Sequence, residues 1–120
     1  MISHVKFVSI PTTDQDRALK FWTEKAGFRV LTDQPFNEKQ RWLELRVGSS
    51  ETRVVLFDMD GGMQAGTPFN GAFACDNVDE TYQELLAKGV EFTTPPTKQP
   101  WGMFCIFKDP DGNQFVLGTK

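Results

Sequence analysis

Residues 108–117, KDPDGNQFVL, hold a turn and then a strand. Asp109-Pro110 and Asp111-Gly112 are turn pairs, and Gly112 tolerates the positive φ of a tight reversal. Phe115-Val116-Leu117 is apolar strand chemistry, so this segment must pair with a strand upstream. Trp101–Phe107 supplies that partner. Further back, Val90-Glu91-Phe92 is extended, and Lys88-Gly89 ends a helix that begins at Asp76–Asp79. Tyr82, Leu85 and Leu86 form its expected buried stripe. Ala72–Cys75 is a short strand ahead of that helix. The order is β-α-β-β-β.

The first half follows the same plan. Val5–Ile10 reads as a strand, Pro11 ends it, and Thr13 or Asp14 caps a helix carrying Ala18, Leu19, Phe21 and Trp22. Gly27 stops that helix, and Phe28–Leu31 resumes an extended pattern. After a polar loop come Arg41–Val47, which alternates cleanly, and Arg53–Phe57. Gly27-Phe28-Arg29-Val30 matches Gly89-Val90-Glu91-Phe92 at an offset of 62, and the two closing strands match at 60. The segment 60–69, rich in Gly, reads as a linker between modules of about 1–59 and 70–120. One sheet and one helix per module leave one sheet face uncovered. The expected fold is therefore α+β, a single domain of two βαβββ modules forming an eight-stranded split barrel around a cleft, helices outside.

A chain of 120 residues has room for one such domain. The net charge of −3, without a basic cluster, argues against nucleic-acid binding. Cys75 and Cys105 lie in apolar runs without CxxC spacing and read as buried free thiols. No apolar run approaches the ~20 residues of a membrane span, so the expectation is a cytoplasmic protein.

Alternation nominates the residues that line the cleft. On Arg41–Val47, Leu43, Leu45 and Val47 face the helix, leaving Trp42, Glu44 and Arg46 on the other side. If His4 points inward, Lys6 and Val8 follow, with Val5 and Phe7 behind. Trp101 stands at a strand mouth beside Gly102 as a rim candidate. His4, the only histidine, and Glu44 are candidate acid/base groups. Asp58 and Asp60 are read as a solvated loop in preference to a cation site.

The paired modules, the strand-one His4, the segment TTDQDRALKFWTEKAGFRVL and the closing FKDPDGNQFVL together resemble the vicinal oxygen chelate superfamily. That superfamily includes glyoxalase I, bleomycin resistance proteins and extradiol dioxygenases. The resemblance implies a divalent metal held by one side chain from the first and last strand of each module. Those four places fall on His4, Leu56, Ala72 and Val116, of which only His4 carries a donor side chain. No metal or other cofactor is therefore expected. The resemblance implies a homodimer and a protein that binds a small organic molecule; Trp42 beside Glu44 and Arg46, on a chain of net negative charge, suits a planar or cationic one. The alternative is a lyase or isomerase that uses His4 and Glu44 or an atypical metal site.

Overall fold

A computed structural model describes residues 1–57 and 65–120. The chain divides between Ala65 and Gly66 into two units, and both are βαβββ. The first contains β1 (Phe7–Ile10), α1 (Gln15–Lys20), a π-helical turn (Phe21–Lys25), β2 (Arg29–Pro35), β3 (Arg41–Arg46) and β4 (Arg53–Leu56). The second contains β5 (Pro68–Cys75), α2 (Val78–Ala87), β6 (Phe92–Gln99), β7 (Gly102–Lys108) and β8 (Gln114–Thr119). The sheet orders are β1-β4-β3-β2 and β5-β8-β7-β6. In each, the opening strand runs parallel to the closing one and the other pairs are antiparallel. The expected α+β class and the paired βαβββ modules are thus the observed ones. No described helix is long and apolar enough to cross a membrane.

In the first unit, Asp14 caps α1 by accepting from the Arg17 backbone N–H at 3.1 Å. The helix then widens into the π turn, closed by Ala26 N–H donating to the Phe21 carbonyl at 3.2 Å. Thr23 Oγ1 donates back to the Leu19 carbonyl at 2.7 Å, a competing bond of the kind that loosens a regular helix. Trp22 is fully buried and stacks on Phe28 at 5.1 Å, while Gly27 turns the chain at φ +78°. Ile10, Leu43, Leu45, Val54 and Leu56 are buried on one sheet face. Arg41 on that same face bonds Asp16 of α1 at 2.8 Å and Asp33 at 3.0 Å, which places the helix there.

In the second unit, Asn77 caps α2 by accepting from Glu80 N–H at 3.1 Å. Tyr82 packs on Phe92 at 4.6 Å, and Phe92, Phe107 and Phe115 lie in one cross-strand row beneath the helix. The buried stripe differs from the expected one: Val78 is buried and Leu86 is exposed. Val78, Tyr82 and Leu85 share the inward side at i, i+4, i+7, and Leu86 turns away from it.

Two strands are longer than their propensities suggest. β2 extends through Pro35, and β6 runs through Pro95 and Pro96 as far as Gln99. Both are edge strands, where proline removes no required ladder bond, and β6 absorbs its prolines with two register shifts. β5 likewise starts at Pro68, inside the expected linker. Residues 60–64 of that linker, with Asp58 and Asp60, lie outside the described residues.

The DPDG turn is a small hydrogen-bonded knot. Asp109 Oδ1 accepts from Asp111 N–H at 3.1 Å and Asn113 N–H at 2.9 Å, and its Oδ2 accepts from Asn113 Nδ2 at 3.0 Å. Asn113 Oδ1 accepts from Gly66 N–H at 2.7 Å, which ties the start of the unit to its last hairpin. Gly112 takes φ +81°, as its position in the turn requires.

Candidate functional site: the helix-free face of the first sheet

Cross-strand register decides what stands on the face away from α1. Trp42, Glu44 and Arg46 alternate onto it from β3, Arg53 and Val55 from β4, and Phe7 and Ser9 from β1. Trp42 is the hub of an aromatic cluster. Its ring lies 5.6 Å from Phe7, 5.3 Å from Phe57 and 6.0 Å from Phe36, and Phe36 meets Phe57 at 5.1 Å. These are the edge and tilted contacts that aromatic quadrupoles favour. Phe36 is exposed and Trp42 half-buried, so the cluster reaches the surface.

Glu44 anchors the indole. Its Oε1 accepts from Trp42 Nε1 at 2.9 Å, and its Oε2 accepts from Arg53 Nη1 at 2.7 Å. The Arg53 hydrogen bond, then the Trp42 bond, hold the carboxyl below the ordinary glutamate range against the opposing effect of burial. Glu44 is therefore an ion with both oxygens engaged. That makes it a weak base and leaves it little attraction for a further cation.

The remaining candidates divide. Arg46 is exposed on the Trp42 face. His4 lies ahead of β1, with Nδ1 2.9 Å from Ser3 Oγ and 3.4 Å from Glu51 Oε2. Because β1 starts at Phe7, alternation counted from His4 does not carry into it. Phe7 stands beside Trp42, and Val8 pairs with Val54 on the helix side, the reverse of the expected faces. Leu56 is a second correction: it pairs with Ile10 on the helix side, and Val55 takes the place beside Glu44. In the second unit, Ala72 and Val116 are direct cross-strand partners on the face away from α2. Trp101 is 63% exposed, with its ring 6.3 Å from Phe104 and over Gly118.

These residues do not fit the metal that the resemblance implies. Leu56, Ala72 and Val116 carry no donor atoms. Among the described residues no three His, Cys, Asp or Glu side chains converge. The cysteines are free, and burial pushes the Cys105 thiol up to about 11.

Phe7, Phe36, Phe57 and Arg53 stand with Trp42 and Glu44 in this candidate site, and the sequence reading did not nominate them. The signal for Phe57 and Arg53 was present: both lie at even spacing from Val55, which faces Glu44.

Comparison with known proteins agrees with this architecture. The family model described as Glyoxalase/Bleomycin resistance protein/Dioxygenase superfamily matches residues 2–117. A crystal structure of a member of that superfamily from Sphaerobacter thermophilus superposes with a TM-score of 0.91 at 31% identity, covering 99% of this chain and 98% of that one. The crystal structure of TnmS3, an antibiotic binding protein from Streptomyces sp. CB03234, superposes at 0.87 with 35% identity, covering 98% and 96%. Among curated sequences, the uncharacterized protein YetH of Bacillus subtilis (strain 168) is 38% identical over 120 residues, 98% of each chain. With the fold, the repeat and the family match in agreement, this chain belongs to the glyoxalase/bleomycin resistance protein/dioxygenase superfamily.

Proposed function

We propose that the protein binds a small planar organic molecule against the Trp42 face of its first unit, without a metal and without altering the molecule chemically. One observation carries the reading. An indole is pinned by a buried, already neutralised carboxylate and edged by three phenylalanines, which makes a rigid stacking surface instead of a reactive centre. The antibiotic-binding description of TnmS3 supports a small-molecule ligand. An acid/base role for Glu44 with His4 gains no support from a carboxyl held low and doubly bonded.

The test is a titration of the metal-free protein with planar aromatic antibiotics and their ring fragments, followed by melting. Ligands that bind should raise the melting temperature of the wild type, since binding to the native state alone must stabilise it. Trp42→Leu keeps apolar volume but removes the stacking plane, and should weaken binding about tenfold or more. Binding that survives Trp42→Leu unchanged, or that requires added Zn, Ni, Fe or Mn, contradicts the proposal.

A further inference from the structure

Next to the aromatic cluster, three arginines line up across three neighbouring strands. Arg29 of β2 pairs directly with Arg46 of β3, and Arg46 pairs directly with Arg53 of β4. Strands lie about 4.8 Å apart, so these side chains leave the same face as immediate neighbours. Like charges placed directly opposite one another repel, and a sheet surface without a task intersperses opposite charges. Here one carboxylate, Glu44, stands in the adjacent position of β3, and it is bonded to Arg53 and Trp42. Among the described residues, Arg29 and Arg46 make no ion pair, and both are exposed. Lys6 lies close enough to Glu44 to help hold its pKa down, which adds another cation to this side. The opposite face shows the contrast: Arg41 there holds two carboxylates, Asp16 and Asp33.

We infer that Arg29 and Arg46, with Arg53 locked beside them, form an anion subsite on the Trp42 face, one side-chain position beyond Glu44, and that the ligand is a planar aromatic acid. This rests on the planar-ligand reading above and reverses the preference for a cation that Glu44 suggested in the sequence. The ring lies on the indole and its carboxylate reaches the guanidinium row, where the fork geometry of arginine suits two parallel N–H···O bonds. Binding would relieve the repulsion that the free protein carries.

The test uses 2-naphthoate and its neutral analogue 2-naphthamide as probes of the full chain, with affinities from calorimetry at low ionic strength. The wild type should prefer the acid about tenfold, the effect of one charge-assisted pair at a partly exposed site. The preference should shrink as salt is raised. Arg29→Met combined with Arg46→Met keeps the apolar stems and should bring the ratio within about twofold of unity. Arg46→Lys should retain only part of it, because the charge stays and the fork is lost. Without ligand, Arg46→Met should melt at the wild-type temperature or about 1–3 °C above it, because a repulsive pair is removed. If the wild type binds both probes equally, the anion subsite is overturned and the planar-ligand reading stands. If neither probe binds, both are overturned. Arg46→Met that melts well below the wild type also overturns the subsite, since the guanidinium would then be serving the fold.

Discussion

Asn113→Ala should cost about 2–4 kcal/mol at pH 8 and distinctly less at pH 4. Asn113 is 1% exposed, and its side chain joins Gly66 N–H to the Asp109 carboxyl. Burial raises Asp109 from 3.8 to about 6, with the Asn113 bonds opposing that rise. An acid raised on folding stabilises the fold fully below its unfolded pKa, and that contribution is lost as pH climbs through the folded value. The wild type should therefore lose stability from this group between about pH 4 and pH 6. Alanine removes a donor that serves the ionised form, so Asp109 rises further and the variant loses more above pH 6. The lost Gly66 bond contributes at every pH. Urea denaturation of both proteins at the two pH values checks this; an equal loss at both would show that Asp109 is not the titrating group.

Leu45→Ala should destabilise by about 2–5 kcal/mol with an unchanged denaturant slope. Leu45 has no exposed surface, stands between Val30 and Val54 in the ladder, and lies on the α1 side. Truncation removes apolar contacts and leaves a cavity that a sheet wall cannot close by relaxing. Its neighbour Glu44 faces the other way, so strand polarity is testable one residue at a time. A Leu45→Ala protein within about 0.5 kcal/mol of the wild type would place the core on the wrong side of β3.

The alternation of Arg41–Val47 was enough to separate Leu43 and Leu45 from Trp42, Glu44 and Arg46, because each face of β3 has a distinct chemical character. β1 was not legible in this way. It has four residues, and counting alternation from His4 crosses irregular backbone, which inverted Phe7 and Val8. Leu56 failed for a related reason. The offset of 60 that aligned it with Val116 is one residue from the 61 that joins Val55 to Val116, and a one-residue slip moves a side chain to the opposite face. Leu86 shows the same limit on a helix, where two adjacent leucines cannot share the buried side. The arginine row lay beyond any local pattern. Arg29, Arg46 and Arg53 become neighbours only once register is known, with the β2 irregularity between Val30 and Thr32 included.

A planar ligand lying on Trp42 must perturb that indole. An NMR titration reads it directly, because the chain has three tryptophans and so three indole N–H signals. The Trp42 proton is held by Glu44 and sits at the proposed site, whereas Trp22 is fully buried in the α1 core. With 2-naphthoate or a planar antibiotic at saturation, the Trp42 signal should shift by ring current while Trp22 stays in place. If Trp42 is unmoved at saturation while the Trp101 or Trp22 signal moves, the ligand lies elsewhere and the Trp42 face is not its site.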